Sequence, residues 1–132
     1  MGTKEQIEDF LSKFSEYKPS IVLYSSEKDV IESIKVNLEG LEIKIFYGGL
    51  CPDCRLELSR LISVINALEV EDLGIEFIEV KRNMDDGLGR AYEMNILVVP
   101  TFIFFRNGKE IGRIIERPND KMERDFAEIV GY

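Results

Sequence analysis

The stretch from Leu41 to Leu68 constrains this chain more than any other. Leu41–Tyr47 alternates and then runs apolar, the pattern of a central strand. Gly48-Gly49 stops it. After Cys51-Pro52 the apolar residues change to a helical period, with Leu58, Leu61, Ile62, Ile65 and Leu68 on one stripe. A strand that passes so quickly into a helix commits the chain to βα packing, because the helix can bury its stripe only by lying back across the sheet.

The remaining segments extend this pattern. Residues 4–17 read as an amphipathic helix on Ile7, Phe10, Leu11 and Phe14, with Pro19 after its end. Ser20–Tyr24 is a short β-rich run. Ser26 then opens a second helix, with Asp29 as a capping-box partner, an apolar face of Val30, Ile31, Ile34 and Leu38, and Gly40 at its close. Ile75–Val80 is expected to be a strand. Residues 85–94 read as a short helix, weakened by Gly87 and Gly89. Thr101–Phe105 and Glu110–Ile115 are strands joined by the type I′ turn that Asn107-Gly108 favours. Residues 118–130 form a final helix. Five strands alternating with helices imply parallel pairing with right-handed crossovers, closed by an antiparallel hairpin. The expected fold class is α/β, a mixed sheet with helices on both faces. One domain covers residues 1–132, with 1–18 as a helical extension.

Composition narrows the partners. The net charge of −8 makes nucleic acid and anionic membrane poor partners, since both would repel the chain. No apolar run approaches the ~18 residues of a membrane span, and Met1–Gln6 is too polar for a signal region, so the expected compartment is the cytoplasm. With no histidine, most zinc sites and every Ser-His or Cys-His pairing are excluded. No metal and no cofactor beyond thiols is expected.

The chemistry points to the two cysteines, Cys51 and Cys54. Random placement would put two cysteines three apart roughly 1 time in 67, so the spacing carries information. The pair falls where the strand hands over to the helix, with Cys51 near the N-cap and Pro52 near the first helical position. Unpaired N–H groups and the positive end of the helix dipole favour a thiolate on Cys51, the nucleophilic form. Cys54 lies almost a turn later, more buried, able to attack a mixed disulfide. Asp53 opposes that thiolate, so a mildly reducing couple is expected. The alternatives are a metal or cluster shared across a dimer, or a catalytically idle pair.

A strand, Cys51-Pro52-Asp53-Cys54 opening a helix, Val99-Pro100-Thr101 before an apolar strand, then Asn107-Gly108 and a second strand: this arrangement resembles the thioredoxin family over residues 20–130. The resemblance implies a thioredoxin fold with the helix at 4–17 as an added element. It implies a cis Pro100 packed beside the sulfurs, Cys51 as exposed nucleophile and Cys54 as resolving thiol. It also implies that Val99 pairs through its backbone with a bound substrate strand, with Leu50 and Thr101 bordering the same groove. The chain departs from the family at several positions. Leu50 replaces the usual Trp, and Pro52-Asp53 replaces the usual Gly-Pro. Ile45 stands where a buried Asp normally serves the second cysteine. Glu116 stands near the usual Gly after the last strand. Glu79, in the position of a family Lys, is a candidate to supply the missing carboxylate if burial raises its basicity.

The expected activity is therefore thiol–disulfide oxidoreduction of protein disulfides by a monomer. Its partners would be disulfide-containing proteins and, as reductant, a thioredoxin-reductase-like enzyme or a small thiol. The competing reading is a non-enzymatic interaction module or redox-sensing adaptor on the same fold.

Overall fold

The computed structural model describes residues 2–49, 51–81 and 83–131. Its strands are β1 (Leu41–Tyr47), β2 (Gly74–Glu79), β3 (Thr101–Arg106) and β4 (Lys109–Ile115). They form one sheet in the order β2-β1-β3-β4, with β1 parallel to β2 and antiparallel to β3, and β3 antiparallel to β4. The helices are α1 (Thr3–Lys13), α2 (Lys18–Leu23), α3 (Lys28–Lys35), α4 (Pro52–Leu68), α5 (Arg90–Glu93) and α6 (Met122–Val130), with a 3₁₀ turn at Ser15–Tyr17. Among the described residues, no helix is long and apolar enough to cross a membrane.

Alternation along β1 sorts the core into two layers. Leu41, Ile43, Ile45 and Tyr47 pack on one face with the buried residues of α1, α3, α4 and α6. Phe46 points to the other face, where it meets Ile78, Val80, Ala91, Ile96 and Ile103. That second face is covered more thinly, by the single turn of α5 and its flanking loops. The stripe of α4 is buried as its spacing requires. At the hairpin, Asn107 and Gly108 both take positive φ, 53° and 81°. This is the geometry that type I′ demands.

The extension covers the outer strand. The Thr3 hydroxyl donates to the Leu73 carbonyl at 2.9 Å, and the Gln6 side-chain oxygen accepts from the Ile75 N–H at 3.1 Å. Phe10 is buried and stacks on Phe77 with centroids 4.2 Å apart. Helix α1 thus takes up part of the edge that a fifth strand would have paired.

The fifth strand expected at Ser20–Tyr24 is absent; the segment belongs to α2. Pro19 lies in the first turn of that helix, where its fixed φ is helical and its missing N–H costs nothing. Ile21 and Tyr24, three apart, both reach the core, whereas Val22 and Leu23 are 83% exposed. A strand would have set Ile21 and Tyr24 on opposite faces. Other boundaries shift for local reasons. The helix read as 4–17 ends at Lys13, because Phe14 swings to φ −133° and the chain re-enters as a 3₁₀ turn. The helix expected from Ser26 begins at Lys28, its N-cap Glu27 tied through its N–H to the Glu123 carboxylate at 2.8 Å. It stops at Lys35, short of Gly40. The helix expected over 85–94 shrinks to Arg90–Glu93, since Gly87 and Gly89 both take positive φ and Asp85 accepts the Gly87 N–H at 2.8 Å. The last helix starts at Met122 rather than Pro118. There the Asp125 carboxylate accepts the Asn119 and Asp120 N–H groups at 2.7 and 3.1 Å and holds a turn.

Candidate active site

Cys51 is the N-cap of α4, with extended backbone at φ −96° and ψ 112°. Its sulfur accepts the Cys54 N–H at 3.1 Å. It thereby does what a serine or aspartate oxygen does at other helix starts, filling one of the orphan donors. Pro52 follows in the first turn, exposed, as is Asp53. The cap places sulfur against the positive end of a long helix, which favours an anion there.

Cys54 differs sharply from its partner. It is fully buried, while Cys51 is half-buried, and both are free thiols. The Gly48 N–H donates to the Cys54 sulfur at 3.5 Å. Burial, followed by its hydrogen bond with Cys51, pushes the Cys54 pKa up to about 12. Cys54 is therefore held as the neutral thiol near neutral pH. The two sulfurs occupy one turn in unlike environments, one facing the groove and one facing the core.

The loop before β3 closes over them. The Val99–Pro100 bond is cis. Pro100 is buried, and Cys51 Sγ donates to the Val99 carbonyl at 3.8 Å. Thr101 is buried, its hydroxyl donating to the Val98 carbonyl at 2.8 Å. Thr101 thus shapes the proline loop rather than presenting a free hydroxyl to a groove. Glu116 takes φ 68°, a left-handed conformation that suits glycine, and donates its N–H to the Pro100 carbonyl at 2.7 Å. Leu50 lies outside the described residues.

Beside the nucleophile a cavity of about 880 Å³ is bordered by Cys51, Val99, Gly49, Met84 and Glu79. Ile45, where the family's buried acid would stand, is wholly buried in the core. The burial that the Glu79 expectation rests on is not found, because Glu79 ends the edge strand and is exposed. Its carboxylate still borders the site: one oxygen lies 2.6 Å from where a Cβ on Gly49 would stand, so a side chain at 49 would make the exposed carboxylate swing aside. In the sheet Glu79 pairs with Tyr47, whose pKa is pushed up to about 12 by burial and then by the Glu79 charge.

Sequence reasoning missed Tyr17. This residue is buried within the extension, and its hydroxyl is held above the ordinary tyrosine range by burial and then by the charges of Cys54 and Cys51. The only signal was the aromatic run Phe10, Phe14, Tyr17. That run reads as ordinary core until the break at Phe14 turns Tyr17 toward the sulfurs.

No protein-family model matches the chain. A TPR repeat-containing thioredoxin of rice (Oryza sativa subsp. japonica) is 30% identical over 104 residues, which is 79% of this chain. The chain spans only 31% of that protein's length. A thioredoxin of Chlamydia caviae is 30% identical over 76 residues, covering 58% of this chain and 69% of the relative. Among solved structures, oxidised thioredoxin of Plasmodium falciparum superposes with a TM-score of 0.51 at 17% identity, over 80% of this chain and 93% of that one.

Proposed function

Because this chain belongs to the thioredoxin superfamily, we propose that it is a dithiol–disulfide oxidoreductase acting on protein disulfides, built as one domain over residues 1–132. The observation that carries this reading is the asymmetry of the two thiols: Cys51 half-buried at the helix N-cap, and Cys54 buried with its pKa at about 12.

The Cys51 thiolate attacks one sulfur of the substrate disulfide. The substrate S–S bond breaks, its electron pair leaves on the second sulfur, and that sulfur takes up a proton. Cys51 is now joined to substrate in a mixed disulfide. Cys54 then loses its proton and attacks Cys51 Sγ. The substrate's remaining sulfur departs with the electron pair and a proton, leaving Cys51–Cys54 oxidised and the substrate reduced by two electrons. An external reductant, a thioredoxin-reductase-like enzyme or a small thiol, returns the pair to the dithiol. No cofactor beyond the two thiols is required.

The supporting residues take separate parts. Pro52 starts the helix and Asp53 places a carboxylate in its first turn. Val99 offers its backbone to the substrate segment, while Pro100 and Thr101 set the loop. Glu79 supplies a negative charge at the wall of the cavity that Cys51 borders, where it acts on the dithiol through its field. If Glu79→Gln leaves the pH profile of disulfide reduction unchanged, Glu79 has no such part.

Reduction of insulin by dithiothreitol tests the whole reading. The protein should accelerate it, and Cys51→Ser should abolish the acceleration. No acceleration over background would favour a non-enzymatic module.

A further inference from the structure

On the redox reading above, we propose that Glu16 and Tyr17, in the segment before the sheet, form a second wall of the substrate site and fit the polypeptide flanking a target disulfide. A cavity of about 320 Å³ separate from the first opens beside Cys51, bordered by Glu16, Tyr17, Gly49, Pro52 and Arg55. One rim therefore comes from the extension and the other from the redox helix.

The wall is fixed in place. The Tyr17 ring meets Phe10 edge-on at 5.2 Å and Phe14 at 6.2 Å. Its carbonyl lies 3.5 Å from the Ser59 hydroxyl of α4, which donates mainly to the Arg55 carbonyl of its own helix at 2.5 Å, so the turn packs against the helix that carries the dithiol. Tyr17 is only 4% exposed, and what it exposes borders this cavity, so its hydroxyl is not a buried orphan. That hydroxyl stays protonated across the working pH range, so it serves as a donor. Glu16 and Arg55, both exposed, border the same cavity. A donor, an anion and a cation around a nucleophilic sulfur match the amide groups of an extended chain. The Tyr17 hydroxyl and Arg55 suit its carbonyls, and Glu16 suits an N–H. A small disulfide has no amide to offer them.

The test compares two substrates. Reduced protein is oxidised by insulin or by hydroxyethyl disulfide, and each second-order rate constant is read by acid quench and mass spectrometry. The parent chain is set against Glu16→Gln/Tyr17→Phe, which keeps both shapes. Loss of the Tyr17 hydrogen bond, together with the Glu16 charge that strengthens the other, should lower the ratio of the insulin rate to the hydroxyethyl disulfide rate about tenfold, equivalent to about 1.4 kcal/mol. An unchanged ratio, whether both rates fall or neither does, overturns the assignment. Reaction of the parent with neither disulfide would instead bring down the redox reading itself.

Discussion

Cys54 should be nearly inert in the folded protein, and the size of that effect follows from its surroundings. The perturbation is Cys51→Ser, which leaves Cys54 as the only cysteine. Serine is a preferred N-cap residue, so its hydroxyl oxygen can accept the Cys54 N–H and keep the helix start intact. The ordinary thiol value of 9.0 rises to about 12 at Cys54, chiefly through burial, which the variant retains. At pH 8 a thiol of pKa about 12 carries roughly one part in ten thousand of thiolate, against roughly one part in ten at 9.0. That is about a thousandfold; losing the contribution of Cys51 trims it to roughly a hundredfold or more. Alkylation by iodoacetamide at pH 8, followed by intact mass, measures the rate natively and in guanidinium. Native Cys54 should react at least about a hundredfold more slowly than the unfolded chain, and its rate should climb about tenfold per pH unit up to pH 11. In the reverse variant, Cys54→Ser, the half-buried Cys51 should alkylate readily. A native Cys54 rate within about tenfold of the denatured rate would refute the division of labour between the two thiols.

Stability should also be lost in alkali. Cys54, Tyr47, Tyr17 and Tyr24 all have raised pKa values in the folded state, so the native chain holds these protons more tightly than the unfolded one. Their contribution is complete below about pH 9 and disappears as pH rises toward 12 and beyond. The urea midpoint of the reduced protein should stay level to about pH 8.5 and then fall, and a level profile to pH 12 would contradict the burial of these groups. Phe10→Ala should cost about 3–5 kcal/mol in urea unfolding, because it removes a buried ring stacked on Phe77 and edged by Tyr17 and Tyr47. A loss under about 1 kcal/mol would mean that α1 is not part of the cooperative fold. Gly112→Ala should cost about 1–3 kcal/mol, since its Cβ would stand 2.9 Å from Ile129 Cγ2 of α6. Adding Ile129→Ala, which removes both γ carbons, should recover part of that loss, and strict additivity in the double variant would rule out the clash.

The parts of the fold legible in sequence were those with strong local signals. The period change between Tyr47 and Leu58 gave β1 and α4, and the cysteine spacing gave the site at their junction. Asn107-Gly108 gave the hairpin, since few residues tolerate the backbone it needs. Ser20–Tyr24 failed because β-branched propensity is a weak preference, and there it lost to Pro19 and to the packing of Ile21 and Tyr24. Glu79, between Ile78 and Val80, could be read either as a buried carboxylate or as a solvent-facing strand residue, and at the end of an edge strand its side chain is exposed. Tyr17 was hidden because its meaning lies in a contact between residues far apart in sequence, set up by one non-helical φ at Phe14. Spacing finds chemistry within one element. Walls that separate elements build together need the fold.

The central claim is that Cys51 attacks and Cys54 resolves. It is tested most directly by presenting reduced Cys54→Ser to a disulfide-bonded polypeptide such as insulin and analysing the product by non-reducing electrophoresis and peptide mapping. The account predicts a stable mixed disulfide at Cys51 that dithiothreitol releases, whereas the parent chain releases its substrate and ends with Cys51–Cys54 oxidised. Recovery of no covalent adduct from Cys54→Ser would contradict it.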